Sequence, residues 1–292
     1  MNKYEIITDV AMDLPQEILQ KYDIKYIPMT FFLGGKEYTY SFNSNSEISI
    51  EEFYQKLKAG EKTHTSQISP IVFKEHFKSY LDKEKDILYV GLSSALSGTL
   101  NNAHLAAEEL KKEYPERKIL ISDSLAACVG GALLVFLASQ KRSEGYLIEE
   151  VYDWIEQNKL HINHNLVVED MERLRKGGRM NAAEAYIAHI INIKLLISMD
   201  KEGKLYLSDK IRGVKNLEKK LFDKIKKHIM TDTCAYIIIG YTPERDDVEM
   251  IENYLKEKLD FKVQTIKTLI GPIIGLHTGE GAVGIAFYSD ER

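Results

Sequence analysis

Cysteine is scarce: the 292 residues hold two, Cys128 and Cys234, far apart and each inside an apolar run. That argues against a disulfide framework and for buried free thiols in a reducing compartment. A basic excess is also missing, since 39 Lys and Arg stand against 44 Asp and Glu for a net charge of −5. No broad cationic surface for nucleic acid is expected. The 17 Tyr are scattered through expected elements rather than interleaved with Lys and Arg in one groove. The longest apolar run, Leu125–Ala138, has 14 residues, short of the roughly 20 that span a bilayer. The opening Met1-Asn2-Lys3-Tyr4-Glu5 lacks the apolar core of a signal peptide. The expectation is a cytoplasmic chain with no nucleic-acid partner and no stable membrane insertion.

Several chemical motifs are missing too. There is no Gly-x-x-x-x-Gly-Lys-Ser/Thr phosphate loop, no Gly-x-Ser-x-Gly elbow, and no HExxH or Cys/His cluster that asks for a metal. Gly279-Glu280-Gly281-Ala282-Val283-Gly284 matches the dinucleotide fingerprint formally. A strand-like stretch follows it instead of a helix, so nucleotide binding there is rejected.

What remains is 44% hydrophobic and 28% charged, a globular balance, in a chain long enough for one large or two ordinary domains. Strand-like and helix-like stretches alternate up to about residue 160, which predicts a parallel sheet covered on both faces. Expected strands are Glu5–Thr8, Lys25–Phe32, Ile87–Leu92 and Lys118–Ser122. Asp13-Leu14-Pro15-Gln16, Ser49–Glu52 and Ser69-Pro70 read as helix starts. After residue 160 the pattern changes. Asp200–Gly203 reads as a hairpin turn, an apolar helix is expected over Asn181–Ile193, and a Lys-rich helix follows Arg212-Gly213.

Ligands of such folds bind beyond the carboxyl ends of strands. Three polar stretches qualify: Thr65-Ser66-Gln67, Ser93–Thr99 and Asp123-Ser124. Ser97 reads as the cap of a helix, with Gly98 and Thr99 in its first turn. Unpaired N–H groups and hydroxyls there either cap the helix and nothing more, or cradle a carboxylate or phosphate. The hydroxyls of Thr65 and Ser66 likewise either satisfy turn backbone or face a ligand. His277, between glycines in an expected loop, is either scaffolding or a hydrogen-bond donor toward an anion. Arg179 and Arg212, each beside Gly, are solvated turn residues or planar phosphate ligands.

Taken in order, these stretches resemble the DegV family of bacterial fatty-acid-binding proteins, some of which are the lipid-carrying subunit of fatty acid kinase. The resemblance runs nearly end to end. It is carried by Ile6-Ile7-Thr8-Asp9 with Asp13-Leu14-Pro15, Ile24–Pro28, Thr65-Ser66-Gln67, Leu96-Ser97-Gly98-Thr99 and Asp123-Ser124. Further on it includes Gly177-Gly178-Arg179, Asn192-Ile193-Lys194 and Gly275-Leu276-His277-Thr278-Gly279. It implies a two-domain α/β protein, residues 1–160 around the parallel sheet and 161–292 around a mixed sheet. An apolar tunnel is implied between or near the two. Thr65 and Ser97 match the family hydroxyls that hold the fatty-acid carboxylate, and His277 the histidine near the head group. Arg179 and Arg212 match arginines facing the kinase partner and the phosphoryl group.

The resemblance further implies no cofactor beyond the bound fatty acid, and no chemistry by this chain alone. Ile187, Ile190 and Ile191 are tunnel liners or plain core. The rival expectation is an autonomous hydrolase or acyl transferase using Ser97 and His277. The chain departs from the family pattern at Val10-Ala11 after Asp9, at Glu280 in place of Pro, at Ala188 in place of Gly and at Leu195 in place of Pro.

Overall fold

The computed structural model describes residues 3–42, 47–169, 171–180, 193–231, 234–245, 248–259 and 262–292. Its strands in chain order are β1 (Tyr4–Asp9), β2 (Lys25–Ile27), β3 (Met29–Leu33), β4 (Lys36–Tyr40), β5 (Thr63–Thr65), β6 (Asp86–Gly91) and β7 (Ile119–Asp123). They continue as β8 (Ile162–Val168), β9 (Ile193–Met199), β10 (Leu205–Arg212), β11 (Tyr236–Tyr241), β12 (Gln264–Leu269) and β13 (Val283–Tyr288).

The expected parallel sheet is present as a four-stranded layer in the order β2-β1-β6-β7. Ile87, Leu88, Tyr89 and Val90 are wholly buried, as a strand covered on both faces requires. The mixed sheet has six strands, β10-β9-β8-β13-β11-β12, with only β11 and β12 parallel. A third sheet of three antiparallel strands, β4-β3-β5, goes beyond the two expected. It arises because the stretch read as one strand, Lys25–Phe32, is two. Pro28 has no N–H for a ladder, so the chain leaves the parallel sheet at Ile27 and enters the small sheet at Met29.

The helix Cys128–Ser143 joins the layers. It is buried on nearly every side from Cys128 to Ser139, and it packs on β1 as well as on β8, β11 and β13. A helix apolar all round belongs inside a protein. β8 alternates by the two-residue period of a strand. Leu166 and Val168 join the central core, and Val167 joins a second cluster beneath the helices Val214–His228 and Val248–Lys258.

Local signals held in places and failed in others. Ser49 caps the helix Ile50–Lys58 by accepting the Glu52 N–H at 3.0 Å, and Ser69 caps Pro70–Leu81 by accepting the Val72 N–H at 3.3 Å. Asp13 does not cap the helix Gln16–Lys21. It sits in the left-handed region at φ 46°, and its carboxylate turns inward to accept the Gly271 N–H at 2.9 Å. Ser97 stands one residue before the cap position, which Gly98 takes, and the helix runs from Thr99 to Glu113. His277 lies on a helix, Pro272–Thr278, and not in a loop, because Pro272 supplies a first-turn start. The Asp200–Gly203 turn joins β9 to β10 as expected. Of the expected helix Asn181–Ile193, only Ile193 is described, and it opens β9. Ile187, Ala188, Ile190, Ile191 and Asn192 lie outside the described residues.

Candidate ligand-binding site

Two strand-end carboxylates shape the loop that carries Ser97. Asp9, at the end of β1, accepts the Tyr89 hydroxyl at 2.7 Å, the Leu92 N–H at 3.2 Å and the Ala11 N–H at 3.0 Å. It is fully buried, and desolvation raises its pKa despite those donors. Asp123, at the end of β7, accepts the Ser94 and Leu125 N–H groups at 3.3 and 2.9 Å. The Ser93 hydroxyl donates to the Gly203 carbonyl at 2.9 Å. The chain between β6 and the helix Thr99–Glu113 is therefore held at its start from three directions.

Ser97 Oγ lies 3.0 Å from Thr99 Oγ1 and accepts the Thr99 N–H at 3.3 Å. Gly98 is needed for close approach, since a Cβ there would stand 2.7 Å from Gln67 Oε1. Gln67 is fixed in turn by Asn102, whose amide donates to Gln67 Oε1 at 3.3 Å and to the Ile68 carbonyl at 2.9 Å. The two hydroxyl-bearing loops, distant in sequence, are thereby packed together.

Thr65 ends β5, and its Oγ1 lies 3.3 Å from His277 Nε2. The other face of that imidazole abuts Gly177, where a Cβ would fall 2.6 Å from His277 Nδ1. Arg179 closes the group. Its Nε donates to the Leu96 carbonyl at 3.1 Å, and its guanidinium also reaches the Gly177 carbonyl. Burial, and then the positive charge of Arg179, hold the His277 pKa down to about 4, so the ring is neutral at pH 7.

Thr65, Ser66, Gln67, Ser97, Arg179 and His277 line one cavity. Much of the remaining wall is apolar: Leu92, Leu96, Leu166, Leu174, Ile273 and Ile274 are among its liners. Its volume is about 130 Å³, far beyond the ~10–15 Å³ a single water needs. Outside lies a polar groove of about 760 Å³ bordered by Lys62, His64, Arg173 and Lys176. Thr65, Arg179 and His277 border both spaces and form the partition between them.

Other residues singled out from the sequence fall elsewhere. Gly98 and Thr99 support Ser97 without lining the cavity. Arg212, exposed at the end of β10, and Glu280 border neither space. Ser97 and His277 share no hydrogen bond among the described residues, their partners being Thr99 and Thr65. A nucleophile–base pair is thus not assembled. Both cysteines are buried and free. Among the described residues no group of three His, Cys, Asp or Glu could hold a metal, and no helix is long and apolar enough to cross a membrane. Sequence reasoning quoted Gly177 as part of a signature but gave it no role, since that role depends on a ring a hundred residues away in the chain, and it did not place His164 and Cys128 on the cavity wall.

A family model described as uncharacterised protein, DegV family, matches residues 3–290. The chain belongs to the DegV family. A DegV domain-containing protein of Clostridium perfringens is 35% identical over 292 residues, covering 100% of this chain and 99% of the relative. A DegV family protein from Thermus thermophilus, whose structure is described as showing fatty acid binding, superposes with a TM-score of 0.85 at 26% identity. That match covers 98% of this chain and 99% of the other. The Streptococcus pneumoniae fatty acid kinase B3 protein, solved loaded with linoleic acid, superposes with a TM-score of 0.84 at 20% identity over 99% of this chain and 100% of its own. At that identity the likeness speaks to the DegV fold alone.

Proposed function

We propose that this DegV chain binds a long-chain fatty acid, with the carboxylate at Thr65, Ser97 and His277 and the tail among the apolar side chains of the cavity. The observation that carries this reading is how polar and apolar groups are divided along the wall of one cavity. Hydroxyls from two separate loops, a neutral imidazole and an arginine meet on its wall, and much of the remaining lining is hydrocarbon. A carboxylate out of water needs donors, and Thr65 Oγ1, Ser97 Oγ and a His277 N–H supply them. Arg179 beside them offsets the charge. Each buried methylene contributes about 0.8 kcal/mol, so the tail can supply most of the affinity after the costs of association. The head-group donors then act mainly on register. The fatty acid binding described for the Thermus thermophilus protein supports the same reading.

In this reading residues 1–160 bring the hydroxyl loops, and residues 161–292 bring His277, Arg179 and the rest of the wall. The chain is a cytoplasmic carrier that needs no cofactor besides its lipid. A separate ATP-dependent kinase subunit, reaching the head group through the polar groove, transfers a phosphoryl group from ATP to a carboxylate oxygen, giving acyl phosphate and ADP. Arg179 borders the groove and faces the transferred group, while Arg212, exposed and outside the lining of both spaces, belongs to the partner face. Denaturing extraction of the purified protein followed by lipid mass spectrometry tests the binding step. About one fatty acid per chain is expected. A protein that yields none, and takes up none after delipidation, would refute the proposal.

A further inference from the structure

His164 has no part in the carboxylate site. It lies on β8 with 6% of its surface exposed, and it lines the same cavity. Its strand neighbours point away: Asn165 bonds to Asn163 at 2.8 Å and to Lys224 at 2.7 Å on the other face of the sheet. Room for the ring comes from Gly130, where a Cβ would stand 3.0 Å from His164 Nδ1.

The proton of this imidazole can be located by chemistry. Nδ1 lies 3.1 Å from Met199 Sδ. A thioether accepts hydrogen bonds and never donates, so this contact is a hydrogen bond in the tautomer that carries the proton on Nδ1. Burial first, then the positive charges of Arg292 and Lys224, hold the pKa down to about 3. The ring is therefore neutral at physiological pH, and Nε2 bears a bare lone pair. No group among the described residues donates to it. The Cys128 thiol, which also lines the cavity, is already paired with the buried Asp13 carboxyl. Among the described residues His164 Nε2 thus meets no donor, in a space otherwise suited to hydrocarbon, and an acceptor that a bound ligand cuts off from water without satisfying opposes that ligand's binding.

We propose that His164 Nε2 is a second polar recognition point in the cavity, selecting an acyl chain that carries a hydroxyl group part-way along its length. The inference rests on the fatty-acid reading above and names the ligand class within it. The hydroxyl donates its hydrogen to Nε2, while an unsubstituted saturated chain offers no donor there.

Delipidated protein, wild type and His164→Leu, is titrated with stearic acid and with a set of octadecanoic acids bearing one hydroxyl at different carbons. One positional isomer should bind wild type at least as tightly as stearic acid. His164→Leu should weaken that isomer about tenfold, equivalent to 1.4 kcal/mol, and leave stearic acid unchanged or tighter. His164→Gln, whose amide oxygen accepts, should restore part of the loss. The inference is overturned if no isomer matches stearic acid on wild type, or if His164→Leu shifts every acid by the same factor. Stearic acid bound by the wild type in either case leaves the fatty-acid reading standing. Failure of the folded wild type to bind any of the acids overturns both.

Discussion

The cavity has two histidines on its wall, and the contrast between them is instructive. His277 and His164 are both neutral, their pKa values held to about 4 and about 3, in each case by burial first and a cationic neighbour second. Their partners differ. His277 rides on a helix, meets the Thr65 hydroxyl and Arg179, and borders the outer groove. His164 rides on a central strand with a thioether at Nδ1, and it lines the cavity without bordering the groove. The same depressed pKa therefore accompanies a proposed head-group contact in one place and a proposed acyl-chain contact in the other. The shift records burial; the role follows from what each nitrogen meets.

The largest test of that contrast is acid stability. The unfolded chain protonates both histidines near pH 6.5, whereas the folded one does not until pH 4 or below, so U binds more protons and stability falls as pH drops through this window. At pH 4 the His164 share is ~3 kcal/mol; that of His277, which is partly exposed, is smaller. In urea titrations at pH 7 and pH 4, His164→Leu should lessen the acid loss while stearic acid affinity at pH 7 holds. His277→Gln should also lessen it, but with weaker stearic acid binding. If the two variants bind alike, the distinction between the rings is wrong.

Next in size are the hydroxyls. In the proposed site Thr65→Ala and Ser97→Ala would each remove a donor to a charged group, a loss of ~1.5–3 kcal/mol. Calorimetry on delipidated protein should show stearic acid binding weakened about 10- to 100-fold. Ser94→Ala, at a residue tied in through its backbone N–H, should change it little. Equal losses at Ser94 and Ser97 would move the head group elsewhere. A smaller effect is expected from Gly177→Ala. The added methyl meets His277 Nδ1, a displacement that typically costs ~1–3 kcal/mol. The thermal midpoint should drop and stearic acid binding weaken, with His164-dependent selectivity kept. Smallest of all, Arg212→Ala should leave stearic acid affinity within error, because Arg212 borders neither space.

Much of the site was readable in the chain because its loops repeat short ordered signatures: Thr65-Ser66-Gln67, Leu96-Ser97-Gly98-Thr99, Gly177-Gly178-Arg179 and Gly275–Gly279. Five of the candidate residues within them, Thr65, Ser66, Ser97, Arg179 and His277, do line one cavity. Arg212 does not, since a glycine beside an arginine marks a turn and says nothing of where the turn lies. His164 escaped notice because alternation along β8 shows that it faces opposite to Asn163 and Asn165, but not which face is the cavity.

Local physics written in the sequence sufficed for the parallel sheet, signalled by short apolar runs such as Ile87–Val90 that alternate with helical stretches, and for helix starts such as Ser49 and Ser69, where a side chain meets a backbone N–H three residues on. It sufficed as well for the Asp200–Gly203 hairpin. Distant partners settled the rest. Asp13 looked like a helix cap and became the acceptor for Gly271, and one apparent strand was shared between two sheets at Pro28. Met199, on the neighbouring strand, is what His164 Nδ1 meets. Such outcomes depend on which groups are brought together once water has been expelled, and a stretch of chain taken by itself holds no record of its neighbours across the core.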